Sequence, residues 1–217
     1  MKLLSFVADG RASYGAVKDN GVVDLGTGLA AAGCTTLRQF LTAGRRADAA
    51  KLVSSAQPDH ALDKIRFAPV IPDPEKIICV GLNYRDHVAE TGRTVTEKPA
   101  LFARFACSQV GHLQPIVKPE VSDDFDYEGE LAVVIGKAGR HIPAPRALGH
   151  VAGYACYNEG SIRDWQRHTS QFLSGKTFAD SGSFGPWLVT TDEIPDPIPP
   201  DQAFRPLDRS KCGLVGK

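Results

Sequence analysis

Glu128 and Glu130 stand two residues apart in Asp126-Tyr127-Glu128-Gly129-Glu130, at the mouth of the apolar run Leu131-Ala132-Val133-Val134-Ile135. The run is short and rich in β-branched residues, which reads as a buried strand. Residues i and i+2 of a strand project to one face, so the two carboxylates project side by side across Gly129. Unit charges about 4 Å apart repel by roughly 4 kcal/mol at an effective dielectric near 20. Such a pair needs either bulk water or a cation. Solvated glutamates at a strand end are the commoner arrangement. If a cation is present, oxygen-only ligands select a hard divalent ion, Mg²⁺, Mn²⁺ or Ca²⁺, over zinc.

Two further groups of residues carry chemistry. In His87-Val88-Ala89-Glu90 the first and last residues are neighbours if the segment is helical. A glutamate beside an imidazole fixes its tautomer and raises its basicity, so the pair can take a proton from water. In Asn158-Glu159-Gly160-Ser161-Ile162-Arg163-Asp164-Trp165-Gln166, Glu159 falls at a strand end just before a helix start. Arg163 and Gln166 then share one helix face, where a guanidinium fork and an amide can bind a carboxylate and a keto oxygen together. Surface ion pairs use the same residue types. Gly175-Lys176-Thr177 is not a phosphate loop, because the required earlier glycine falls at Ser170. No G-x-S-x-G, H-E-x-x-H or G-x-G-x-x-G pattern is present.

The elements that must position these groups follow from periodicity and turn residues. Residues 1–70 read as a small α/β unit. Strands are expected at Leu3–Ala8, Ser13–Lys18 and Val22–Leu25, with a hairpin signal at Asn20-Gly21. Helical spacing follows at Thr36–Leu41 and Ala47–Ser54. Ile71-Pro72-Asp73-Pro74 is a stiff connector. The main unit, 71–217, predicts buried strands at Lys76–Val80, Ala100–Phe105, Leu131–Ile135, His150–Tyr157 and Trp187–Thr190. It predicts helices at Tyr84–Thr91 and Ser161–Phe172, the latter with a Ser161/Asp164 capping box and Gly175 as its end. Residues 192–217, with five prolines, read as an irregular tail. The class is α+β, mainly β.

Composition narrows the partners. Equal numbers of basic and acidic residues, 25 each in 217, argue against a nucleic-acid footprint or a membrane partner. No apolar segment approaches the ~20 residues of a transmembrane helix. The five cysteines are odd in number and lack a C-x-x-C pair, as expected of reduced thiols in a cytoplasmic protein.

Taken together, four stretches resemble the fumarylacetoacetate hydrolase family: Ile77–Glu90, Asp126–Gly136, Gly153–Gln166 and Ser174–Phe178. Order and spacing fit across residues 65–191. The resemblance implies a mixed β-sandwich roll with a small N-terminal extension, a homodimer, and Mg²⁺ or Mn²⁺ held by three carboxylates. Two of these map onto Glu128 and Glu130. The third is normally an aspartate, and Glu159 stands there, one methylene longer. The water-activating pair maps onto His87 and Glu90, and the substrate and oxyanion groups onto Arg163, Gln166 and Lys176. The family continues with further strands and a Thr-Gly-Thr-Pro loop, for which this chain has no counterpart, so a truncated and weakened member is expected.

The implied activity is hydrolytic cleavage of a C–C bond in an acylpyruvate or related 2,4-dioxo acid. It proceeds through a metal-chelated enolate and a water activated by His87. Decarboxylation, isomerisation and hydration of 2-oxo acids share that logic and differ only in pocket walls. A catalytically impaired fragment and a plain β-rich interaction module are the readings of other classes.

Overall fold

The computed structural model of the protein describes residues 1–81, 83 and 98–194. Three strands open the chain as an antiparallel meander: β1 (Lys2–Ala8), β2 (Arg11–Lys18) and β3 (Gly21–Asp24). The first turn is Asp9-Gly10, with φ of 49° and 76°. Tight hairpins need positive φ at both central residues, which glycine adopts freely and aspartate tolerates. The second turn sits one residue earlier than expected. Its loop is Asp19-Asn20, and Gly21 already pairs with Lys18. Gly21 serves packing instead, since a Cβ there would lie 2.5 Å from the Cβ of Pro58.

Helices α1 (Leu25–Gly28), α2 (Leu37–Thr42) and α3 (Arg46–Ser55) follow. Thr36 caps α2 by accepting from the Gln39 amide. Leu37, Phe40 and Leu41 form one apolar stripe. They are buried in a core with Leu3, Tyr14, Val23, Val70, Ala155, Phe184 and Leu188. That core joins residues from both sides of the Ile71–Pro74 connector.

The sheet does the same. Its ten strands run β4 (His60–Ala61), β3, β2, β1, β14 (Leu188–Thr190), β11 (Val151–Asn158), β13 (Gly182–Phe184) and β8 (Gln109–Val110). Two lie off this path: β5 (Arg66–Phe67) pairs with β1, and β10 (Gly129–Ile135) pairs with β11. All pairings are antiparallel except β8 with β13, so the sheet is mixed and dominates an α+β fold. Two ribbons complete it: β6 (Ile77–Gly81) with β7 (Ala100–Arg104), and β9 (Phe125–Asp126) with β12 (Ser161–Ile162). No helix among the described residues is long and apolar enough to cross a membrane.

Two expectations need correction. Strands β6 and β10 carry apolar residues on both faces, yet only one face is covered among the described residues. Ile78 is 62% exposed and Ile135 63%. The helix expected at Ser161–Phe172 is broken into β12, α4 (Arg163–Gln166) and, beyond a gap, α5 (Leu173–Lys176). Ser161 is held in extended pairing with Asp126, and its hydroxyl donates to the Glu159 carbonyl at 2.9 Å instead of capping a helix. Gly175 lies inside α5. A Cβ there would stand 2.4 Å from the Gln166 amide nitrogen, so glycine lets α5 fold back against α4. The expected helix at 84–91 and the tail from 195 onward lie outside the described residues.

Candidate functional site

The pairing of β10 with β11 places Gly129 opposite Asn158. The start of one strand therefore lies beside the end of the other. Glu128 and Glu130 flank Gly129, and Glu159 follows Asn158. The Glu159 amide donates to the Glu128 carbonyl at 2.8 Å, which locks the two backbones together. Glu128, Glu130 and Glu159 each offer a carboxylate oxygen within 4.8 Å of the others. The first two are half-buried and Glu159 is buried.

Three carboxylates this close need positive charge. Lys176, buried at the end of α5, supplies it: Nζ donates to Glu128 Oε2 at 2.8 Å and to Glu159 Oε2 at 3.1 Å. The ammonium also lies 5.2 Å from the Phe102 ring centroid. Arg163 at the start of α4 is 2.5 Å from Glu128 Oε1 through Nη1. Its Nε and Nη2 donate to Asp126 Oδ2 at 3.0 and 2.7 Å. Gln166 Oε1 accepts from Arg163 Nη1 at 2.9 Å. Burial opposes ionisation of Glu128, but Lys176 and then Arg163 outweigh it, and its carboxyl is held below the usual carboxylate range.

Behind the acids stands a second layer. Glu159 Oε1 accepts from Cys79 Sγ at 3.1 Å and lies 3.8 Å from Arg104 Nη1. Cys79 faces Phe102 across the β6–β7 ribbon, and Arg104 follows two residues on, facing the same way. Burial, with Glu159 beside it, pushes the Cys79 thiol far above its ordinary range.

The donor set suits a hard divalent ion. It is all oxygen and triply charged. An ion holding its ligands at about 2.0–2.6 Å spans the separation of these acids. The ammonium of Lys176 already sets one positive charge against two of these acids.

The sequence model described as fumarylacetoacetate (FAA) hydrolase C-terminal matches residues 76–205. The chain belongs to the fumarylacetoacetate hydrolase family. Within it, human oxaloacetate tautomerase FAHD2A, a mitochondrial protein, is 43% identical over 171 residues, or 75% of this chain and 53% of the human protein. The chain thus spans about half the length of the curated relatives it matches. The solved fumarylacetoacetate hydrolase from psychrophilic Exiguobacterium antarcticum superposes with a TM-score of 0.70 at 32% identity, covering 88% of this chain and 67% of that one. Maleylpyruvate hydrolase from Sphingobium, solved with manganese(II) and pyruvate, gives 0.73 at 22% identity, covering 91% and 70%. At that identity the likeness shows the fold alone. The mixed, sheet-dominated α+β architecture expected of the family is the one observed.

Of the residues expected at a fumarylacetoacetate hydrolase site, Glu128, Glu130, Glu159, Lys176, Arg163 and Gln166 converge. His87 and Glu90 lie outside the described residues. Cys79 and Arg104 have no role in the sequence reading, where the cysteines count only as reduced thiols. The available signal is the i, i+2 spacing of Phe102 and Arg104, a charge on the inward face of an apolar strand.

Proposed function

We propose that this site interconverts the keto and enol forms of a small 2-oxo acid with the help of a divalent ion held by Glu128, Glu130 and Glu159. The observation that carries the reading is the convergence of three carboxylates around a buried lysine. The relatives described as oxaloacetate tautomerases, at 43% identity, support the substrate class. When bound, Mg²⁺ or Mn²⁺ supplies Lewis-acid polarisation and a template for a 2-oxo carboxylate.

The chain's own groups do the rest. Arg163 presents a fork that can turn from Asp126 to a substrate carboxylate. Gln166 spends its Oε1 on Arg163, so its NH₂ is the end that meets a substrate oxygen. Lys176 brings N–H donors and a full charge to the oxygen that gains negative character. His87, with Glu90 three residues on, is the base that moves the proton. A compartment that keeps thiols reduced suits the four free cysteines among the described residues. Dimerisation belongs to the same proposal and is read by sedimentation equilibrium.

The second reading is hydrolysis of a C–C bond in an acylpyruvate. The His87-Val88-Ala89-Glu90 spacing favours it, because that reaction requires an activated water. One assay separates the readings. Enolic oxaloacetate and an acylpyruvate are each mixed with protein and Mn²⁺, and loss of the enol ultraviolet absorbance is followed. The expected result is faster ketonisation of oxaloacetate, reduced to the buffer rate by EDTA and by Glu130→Gln. Catalysis that survives EDTA would defeat the metal reading. Cleavage of the acylpyruvate alone would move the assignment to hydrolysis. Mn²⁺ binding without turnover of either would mark a non-catalytic family member.

A further inference from the structure

We propose that Arg104 is a positioning residue that holds Glu159 ready for the divalent ion, an inference that rests on the metal reading above and deepens it. Arg104 ends β7 with a fully buried side chain. Its guanidinium is fixed by neutral acceptors. Nε donates to Ser108 Oγ at 3.2 Å and Nη1 to the Gly160 carbonyl at 3.0 Å. Nη2 donates to the Ser108 carbonyl at 3.3 Å and to Ser181 Oγ at 3.0 Å. The cation also stacks 5.7 Å from the Tyr157 ring centroid.

None of those partners carries charge, and a buried cation requires a counter-charge. Among the described residues its ion-pair partner is Glu159, whose Oε1 lies 3.8 Å from Nη1. That spacing is close enough for attraction and too long for a hydrogen bond. Arg104 therefore favours the inward pose of Glu159 without occupying the lone pairs that an ion would use. Arg163, gripping Glu128 Oε1 at 2.5 Å, does the opposite.

The backbone is shaped around this arrangement. A Cβ at Gly182 would stand 2.9 Å from Arg104 Nη2, and one at Gly160 would stand 1.8 Å from the Ser181 carbonyl oxygen. Gly182 thus leaves room for the guanidinium, and Gly160 lets the corner after Glu159 approach the Ser181 backbone. A glutamate side chain loses rotamer freedom on being fixed. Bracing it before the ion arrives removes that cost from binding.

The test is Mn²⁺ calorimetry on the whole chain, paired with melting in EDTA. Loss of an outer-layer partner typically weakens metal binding by about 10–100-fold. We expect that loss for Arg104→Met, a partial return for Arg104→Lys, and a smaller loss for Ser181→Ala, which removes one brace and touches no acid. A folded Arg104→Met that melts lower but binds Mn²⁺ like the wild type would overturn the proposal. If Arg104→Met does not fold, wild-type affinity in both Arg104→Lys and Ser181→Ala would overturn it equally. A wild-type chain that binds no Mn²⁺ would fail at the metal reading itself, a result distinct from the other two.

Discussion

Lys176 is 2% exposed and carries a full charge, held between glutamate oxygens 2.8 and 3.1 Å away. Removing one partner of a buried ion pair leaves the other charge uncompensated, at a cost of about 3–5 kcal/mol. Here the loss would leave three carboxylates facing one another. Lys176→Met should therefore unfold at a lower temperature in EDTA, by roughly 10 °C at 2–4 °C per kcal/mol for a chain of this size. Added Mn²⁺ should recover much of that difference, because the ion replaces the missing charge. Paired thermal melts check both halves, and equal losses with and without Mn²⁺ would deny that lysine and ion serve the same acids. The sequence makes part of this visible. Period two places Glu128 beside Glu130 without any knowledge of the sheet. That Cys79 and Arg104 reach Glu159 depends on the register of β6 against β7, which local spacing cannot supply.

At the junction of β3 and α1, one carboxylate organises two elements. Asp24 accepts from Arg11 Nη2 and Ser13 Oγ, each at 2.5 Å, and from the Thr27 amide and hydroxyl, each at 2.9 Å. It caps α1 while tying β2 to β3. Burial opposes its ionisation, but the hydrogen bonds from Ser13, Thr27 and Arg11 prevail and hold the carboxyl below the usual range. The unfolded value is about 3.9. A depressed folded value means the stabilisation is fully present above the unfolded value and is lost as pH falls through the folded one. Asp24→Asn should cost about 2 kcal/mol at pH 7, and the gap to the wild type should close below about pH 4. Denaturant unfolding at pH 7 and pH 3 measures it, and a gap independent of pH would show that the charge is not what stabilises the junction. Turn chemistry made the neighbouring hairpins legible to within a residue. The junction itself was not, because Asp24 reads locally as a strand end.

Over the whole molecule, the longer strands were legible, whereas the two- and three-residue strands β4, β5, β8, β9, β12 and β13 and the order of the sheet were not. Alternation and turn residues located β1, β2, β7, β11 and β14 to within a residue or two. The sheet order depends on distant partners: β1 pairs with β14, and β11 carries β10 along one edge and β14 and β13 along the other. The expectation of burial failed where a strand's apolar pattern is double-faced. Leu101 is 61% exposed beside Ile78 and Val80 on the outer face of the β6–β7 ribbon, and Val133 and Ile135 are exposed on β10. Contiguous exposed apolar surface of this kind is unusual on a folded chain. The native protein should therefore bind the dye ANS while its near-ultraviolet circular dichroism remains intact, a combination that separates a packed chain from a molten one. Replacing Ile78 and Leu101 together with threonine places β-branched side chains suited to strands at both positions and removes the two most exposed apolar groups of the ribbon. The dye signal should drop markedly, with little change in melting temperature, because neither side chain is in the core. An unchanged ANS signal in the double variant would mean that the dye finds its surface elsewhere and that the ribbon's outer face is covered in solution.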